Sequence, residues 1–496
     1  MAMNIMIQGT MSNAGKSILC AGLCRVFRQD GYRVAPFKSQ NMALNSFITE
    51  TGGEMGRAQV VQAEAAGIKP DVRMNPILLK PTTDVGSQVI VNGVAMGNMR
   101  AMEYYRRKRE FVPQVLESYH SLAAQYDIIV IEGAGSPAEI NLKKDDFVNM
   151  GMAKIARAPV LLVGDIDRGG VFAQLYGTVA LLDPEERDMI KATVINKFRG
   201  DVSLLDSGLQ MLEELTGKPV AGVVPMMNVD IDDEDSLSER LRGTSGLSLL
   251  DIAVIRLPKL SNFTDFAVLE ATAGVGVRYV SQPKELGKPD LVILPGTKNT
   301  ISDLNWLRQC GLEAAIKKLV SGGMPLIGIC GGYQMLGQTI SDPENTEGGG
   351  TVAGMGLLPM ETVFETQKHR TRVYGKVGTV PGLFADLSGA ELEGYEIHMG
   401  SSALKEGAIP LITLDNGRQD GCCRGNVYGS YLHGFFDSEQ CRKAVLGALA
   451  REKGVSLENP DFDFVAYKQA QYDKLAEGVR SSLNMELIYR ILEEGI

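Results

Sequence analysis

Short runs of β-branched and other apolar residues recur along the first part of the chain, at "NIMIQG", "YRVAPF", "DIIVIEG", "PVLLVGD", "ATVINKF" and "PVAGVVP". Between them lie segments with apolar residues at helical spacing, such as "GKSILCAGLCRVFRQDG", which closes on a glycine. Strands that alternate with amphipathic helices predict a parallel sheet with helices on its faces. A second pattern of the same kind starts at "DIAVIRLP" and runs through "DLVILPGTKNT" and "MPLIGICGGYQMLG" to "NVYGSYLHGFF". The predicted fold class is therefore α/β, with two domains. Between the two patterns "VDIDDEDSLSERLRGTSG" is acidic, polar and poor in large apolar groups, the composition of a linker. This sets a first domain at 1–228, a linker at 229–250, a second domain at 251–443 and a helical C-terminal extension at 444–496.

Length agrees with that division, because 496 residues exceed one ordinary core. Apolar residues make up 44% and charged residues 22%, as in a soluble globular protein. A net charge of −10 disfavours a general nucleic-acid or anionic-membrane surface, so neither partner is expected. The longest apolar stretches are strand-length, well short of the roughly 20 residues of a membrane span. The first strand begins almost at once and leaves no room for a signal peptide, so a cytoplasmic location is expected. The seven cysteines include no C-x-x-C pair, which argues against a disulfide scaffold and a zinc ribbon. With only four histidines, a His-rich site is not expected, nor is a protein-bound transition metal. Oligomeric state is not legible.

Two stretches carry chemistry. "GTMSNAGKS" places Gly9, Thr10, Asn13, Gly15, Lys16 and Ser17 after a strand and before a helix. Glycines let backbone N–H groups curl around a phosphate, the lysine neutralises charge, and the serine hydroxyl is a Mg²⁺ ligand. Five residues separate the glycines, one more than usual, and this longer loop resembles that of dethiobiotin synthetase and its relatives. Those enzymes use ATP to activate a carboxyl or carbamate group. A second Mg²⁺ ligand should end a neighbouring strand, where "IVIEGAGS" offers Glu132. "VINKF" offers Asn196, for the adenine edge or as a strand-end cap. "APFKSQNMALNS" places Lys38 beyond a strand, within reach of a transferred phosphoryl group.

The second stretch is "GICGG", a strand-to-helix turn around Cys330. A sharp turn exposes the middle side chain and aims it at helix N-terminal N–H groups, which activate a thiol and stabilise an oxyanion. A lone cysteine in an apolar strand is ordinarily core, but Gly328 and Gly331 permit a strained, closely approached turn that a buried strand does not need. Such a nucleophile needs a base. His433, at the end of a strand, is one candidate and His398 in "GYEIHMG" the rival, whereas His120 and His369 lie in polar contexts.

"GICGGYQMLG" followed by "GSYLHG" is similar to the class I glutamine amidotransferases. The resemblance implies that Cys330 attacks the side-chain amide of glutamine and that His433 moves protons, releasing ammonia. "LPGTKNT" resembles the loop that joins the oxyanion site, which implicates Gly296 with Gly331. Most of that class carry Glu two residues after the histidine; Gly434 and Phe435 follow here, and Glu396 is the candidate substitute.

ATP activation and glutamine hydrolysis in one chain point to a glutamine-dependent amide ligase. A phosphorylated carboxylate has a leaving group, and ammonia released within the protein arrives unprotonated. Nearly the whole chain resembles the cobyric acid synthases, through "PFKSQNMALNS", "EMGRAQVVQAEAAG", "DVRMNPILLKP", "EGAGSPAEINL", "DFVNMGMA", "GDIDRGGVFA", "INKFRGD" and "GYEIHMG". The resemblance implies ATP with Mg²⁺, glutamine, and amidation of the b, d, e and g carboxylates of adenosylcobyrinic acid a,c-diamide. The cobalt would then belong to the corrinoid substrate. It also implies a role near the substrate for Asp146, whose plainer reading is a helix N-cap. Two rivals remain: the a,c-diamide synthase that shares the domain pair, and a partitioning-type ATPase whose second domain only docks.

Overall fold

A computed structural model describes residues 2–83, 86–232, 248–457 and 462–496. Most of the expected linker, 233–247, lies outside the described residues. The chain forms two compact units. One comprises Met1–Ala43, Gly53–Asp232 and Val465–Ile496, the other Leu44–Gly52 and Asp233–Phe464.

All six apolar runs of the first pattern form strands, and they pair in parallel throughout. Their order across the sheet is Val220–Pro225, Ile190–Phe198, Val160–Asp165, Met3–Gly9, Ile128–Glu132, Val34–Phe37. The strands are apolar on both faces because helices cover both, as an all-parallel sheet requires. The helix Lys16–Gln29 buries Leu19, Leu23, Val26 and Phe27 against it. In such a sheet the strands' carboxyl ends form the ligand crevice. Gly9, Lys38, Glu132, Asp165 and Asn196 all sit at or just past those ends. A smaller four-stranded sheet, from Gln40–Met42, Ile77–Thr83, Gly86–Val91 and Val94–Arg100, belongs mainly to the same unit and was not foreseen.

The second unit holds an eleven-stranded sheet among the described residues. Val275–Val280, Leu250–Ile255, Leu291–Leu294, Leu326–Ile329 and Val427–Ser430 are its parallel part. Beyond Val427–Ser430 the pairing turns mainly antiparallel, and the long strands Met360–Val377 and Glu391–Leu404 lie side by side. These strands alternate buried and exposed positions imperfectly, which is why their pattern did not announce them.

Residues 444–496 do not form one extension. The helix Glu439–Lys453 buries Cys441, Val445, Leu446 and Leu449 in the second unit's core. The helices Phe464–Ser482 and Met485–Glu494 put Tyr472, Leu475, Ala476, Val479, Ile488, Ile491 and Leu492 into the core of the first. Burying each large apolar side chain contributes about 1.5–3 kcal/mol, so these helices are structural parts of that unit. Arg25 Nη2–Asp473 at 2.8 Å and Tyr472 Oη to Glu64 at 2.6 Å fasten them. Among the described residues no helix is long and apolar enough to cross a membrane.

Candidate functional site

Each unit presents its chemistry at the carboxyl ends of its parallel strands. In the first unit the loop after Met3–Gly9 ends at Gly15, whose φ of +89° favours glycine. A β-carbon there would stand 2.1 Å from Asn196 Nδ2, so the position has no room for a side chain. Asn196 is buried and donates through Nδ2 to the Ala14 carbonyl at 2.9 Å, bracing the loop. Thr10 Oγ1 donates to Gln174 Oε1 at 3.0 Å, and the Asn13 carbonyl accepts from Lys197 Nζ at 2.6 Å. Lys16 Nζ lies across the loop, 2.9 Å from the Met11 carbonyl and 3.1 Å from that of Gly135.

Glu132 is the hub of this site. It is 1% exposed, and Oε1 accepts from Ser17 Oγ at 2.8 Å and from Lys38 Nζ at 2.9 Å. Oε2 accepts from Gln62 Nε2 at 2.6 Å and from Gln59 Nε2 at 3.3 Å. A carboxylate at this depth is stable only because both oxygens are hydrogen-bonded and one partner is a cation. Ser17, Lys38 and Glu132, far apart in sequence, are thus brought together. Gln59 and Gln62 were missed, although "RAQVVQAEAAG" places two amides one helical turn apart. Asp165 and Lys197 were missed too; they pair at 2.8 Å beside the loop. Asp146 stands apart from the hub's hydrogen bonds. Its carboxylate accepts from the N–H groups of Val148, Asn149 and Gly151 at 2.8, 3.0 and 2.8 Å, the geometry of a cap on the helix Met150–Ala156.

In the second unit Cys330 follows the strand Leu326–Ile329 directly and precedes the short helix Gly331–Leu336. Its φ of 53° and ψ of −109° are strained for a residue with a side chain. The turn is this tight because the helix abuts the neighbouring strand's end: a β-carbon on Gly332 would lie 2.0 Å from the Leu294 carbonyl. The Cys330 N–H donates to the Ser430 carbonyl at 2.8 Å, so it is committed to the sheet. The loop carrying Gly296 closes on the same place: a β-carbon on Gly331 would stand 3.1 Å from Thr297 N, and one on Gly296 2.9 Å from His433 Cε1.

His433 is buried, and its Nδ1 lies 2.7 Å from Asp265 Oδ2. Asp265 also accepts from the Gly434 N–H at 3.2 Å, and Tyr395 stacks on the imidazole with ring centroids 5.2 Å apart. Burial pushes the imidazole towards its neutral form, but the Asp265 carboxylate and the Cys330 sulfur outweigh it and raise His433 to about 10. A nucleophile, a base beside it and a buried carboxylate behind the base make the three-part array of acyl transfer.

That geometry corrects one expectation. Glu396 does not orient His433; its carboxylate pairs with Arg418. The orienting acid is Asp265, in the turn Phe263–Phe266, 168 positions before the histidine. Its only sequence signal was an acid between two phenylalanines, in "NFTDF". His398 is not the base either. Burial lowers it to about 3, its Nδ1 donates to the Gly400 carbonyl at 2.7 Å, and its ring stacks on Tyr431. Around the thiol, Gln334 Nε2 donates to Tyr431 Oη at 3.3 Å, and Thr300 Oγ1 to Gln334 Oε1 at 2.9 Å.

Comparison with known proteins identifies both domains. Residues 5–236 match the CobQ/CobB/MinD/ParA nucleotide binding domain, and residues 251–441 the CobB/CobQ-like glutamine amidotransferase domain. The chain is 59% identical to a cobyric acid synthase of Ruminiclostridium cellulolyticum, over 100% of this chain and 98% of that one. It is 58% identical to one of Lachnoclostridium phytofermentans over the whole of both chains. A third, from Photorhabdus laumondii subsp. laumondii, is 52% identical over 99% and 98%. On identity of this extent along the full chain, with both domains present and an intact thiol–imidazole–carboxylate array in the second unit, the chain belongs to the cobyric acid synthase family.

Proposed function

We propose that the chain is an ATP-driven ligase that amidates the b, d, e and g carboxylates of adenosylcobyrinic acid a,c-diamide, with glutamine as the nitrogen source. The observation that carries this reading is the Cys330–His433–Asp265 array in a chain that also holds the Lys16–Ser17–Glu132–Lys38 cluster. Cys330 Sγ attacks the carboxamide carbon of glutamine, and His433, held by Asp265, delivers a proton to the departing nitrogen. N–H groups near Gly296 and Gly331 receive the developing oxyanion. Water then releases glutamate from the thioester, with His433 as base.

In the first unit the loop Gly9–Ser17 cradles the ATP phosphates, with Thr10, Asn13 and Asn196 in the nucleotide-binding set. Lys16 and Lys38 supply positive charge to the phosphoryl group as it moves to a corrin carboxylate. Ser17 Oγ and Glu132 Oε1 are hard oxygen donors 2.8 Å apart, a fit for Mg²⁺, which takes few protein ligands and fills its shell with phosphate and water. Bound there, Mg²⁺ would neutralise phosphate charge. Asp146, whose carboxylate caps the helix Met150–Ala156, joins Lys38 in the substrate and phosphoryl set. Ammonia displaces phosphate from the acyl phosphate and leaves a carboxamide. The reaction belongs in the cytoplasm, without nucleic acid or membrane as partner, and the cobalt is carried by the substrate.

The experiment is mass spectrometry of adenosylcobyrinic acid a,c-diamide after incubation with the protein, ATP, Mg²⁺ and glutamine. Stepwise conversion of all four remaining acids to amides is the expected result. ATPase and glutaminase activity without conversion would send the ligase chemistry to another carboxylate. ATP hydrolysis stimulated by DNA or membrane instead would favour the partitioning-type reading.

A further inference from the structure

We propose that His398 recognises the substrate glutamine by accepting one of its N–H groups at Nε2. The inference rests on Cys330 being the glutamine-hydrolysing nucleophile. His398 is 8% exposed, and its ring lies face to face on Tyr431, centroids 3.7 Å apart and planes within 18°. Nδ1 stands 2.7 Å from the Gly400 carbonyl oxygen. A carbonyl only accepts, so Nδ1 carries the proton and Nε2 keeps an in-plane lone pair. Among the described residues nothing donates to that lone pair. A buried acceptor without a donor is costly, and a ligand that completes it accounts for its retention.

The position of the ring fits that ligand. His398 follows Ile397, whose carbonyl oxygen is 3.6 Å from the Cys330 sulfur. The Tyr431 ring beneath it carries a hydroxyl that accepts from Gln334 and meets Ser402 Oγ at 2.7 Å; Gln334 lies one turn beyond Cys330. The histidine therefore stands beside residues that contact the thiol and its helix. Burial keeps the ring neutral through the working range, so the lone pair is permanently on offer. Glutamine brings N–H groups on its α-ammonium and on its carboxamide. Glutamate brings a carboxylate oxygen in place of the latter, which a lone pair repels. Where the carboxamide is the donor, an acceptor that cannot switch to a donor favours the amide over its own hydrolysis product.

The test compares His398→Phe and His398→Gln in glutaminase assays with L-glutamine and with a γ-ester of glutamate. Ammonium-dependent amidation, which needs no glutamine, serves as the folding control. His398→Phe should raise KM for glutamine about tenfold with a smaller change in kcat, the loss of one good hydrogen bond. His398→Gln, whose Oε1 replaces Nε2 as acceptor, should recover part of it. An equal loss with the ester assigns the α-ammonium as donor, and a loss confined to glutamine assigns the carboxamide; either supports the proposal. A glutamine KM within about twofold of wild type, or a matching loss in the ammonium route, overturns it. Should the Phe variant not fold, ¹⁵N resonances of the histidines in Cys330→Ser protein saturated with glutamine decide: Nε2 of His398 must move upfield, and an unmoved resonance refutes the proposal. If Cys330→Ser still hydrolyses glutamine, it is the assignment of the nucleophile that has failed.

Discussion

Asp265→Asn keeps the size of the side chain and an acceptor for the Gly434 N–H, but removes the charge 2.7 Å from His433 Nδ1. In the wild type the imidazole is raised from 6.5 to about 10 against the opposing effect of burial. At about 1.4 kcal/mol per pH unit, that is on the order of 5 kcal/mol of preference for imidazolium. Asp265 is the largest favourable contributor and Cys330 the next. Losing the Asp265 charge should lower glutaminase kcat/KM by roughly 10²-fold. If the new amide also donates to Nδ1 and fixes the wrong tautomer, the loss approaches about 10⁴. The pH profile gives an independent check. A raised value means that the wild type keeps its imidazolium until pH rises through about 10. The variant, without the Asp265 charge, loses it at lower pH than the wild type does. The alkaline limb of glutamate release should therefore move to lower pH, while ammonium-dependent amidation stays unchanged. A variant within about threefold of wild type, or an alkaline limb that does not move, would refute the role given to Asp265.

Cys330→Ser should abolish amidation from glutamine and leave it intact with high ammonium salt; loss of both in a folded variant would break the division of labour between the units. Glu132→Ala leaves Lys38 buried without its carboxylate, and denaturant melts of the first unit should show a loss of about 3–5 kcal/mol. Gly15→Ala forces a β-carbon onto Asn196 at positive φ, so ATP binding by calorimetry should vanish before secondary structure by circular dichroism does. Leu475→Ala, in the penultimate helix, should destabilise the N-terminal unit by about 2–5 kcal/mol; a change confined to the glutaminase unit's melting would contradict the core described here.

The parallel strands, the phosphate loop, Cys330 and His433 were legible because each depends on local order: an apolar run, glycines at fixed spacing, a side chain at a strand's end. Glu132 and Lys38 were legible as strand-end residues, but their ion pair was not, since it depends on which strands are neighbours. Asp265 was hidden for a stronger reason. An orienting carboxylate needs only to arrive behind the imidazole, and a turn far upstream does this as well as a residue two places on. The glutamate two residues past the histidine was the wrong place to look, and Glu396 proved to be Arg418's partner. Asp146 shows the opposite: its plain reading as a cap was sufficient for its contacts. The last two helices carried clear amphipathic spacing, but spacing tells a helix to bury one face without saying against which core.

That last feature bears on how the chain is made. The apolar face that Leu475, Val479, Ile488 and Leu492 contribute reaches the first unit only after the second unit, residues 233–464, has been synthesised. During translation the nucleotide-binding sheet must wait with part of its core uncovered, while nearly all of the glutaminase unit, residues 233–464, is already outside the ribosome. The first unit's core is therefore closed last, by segments that follow the other unit in the chain.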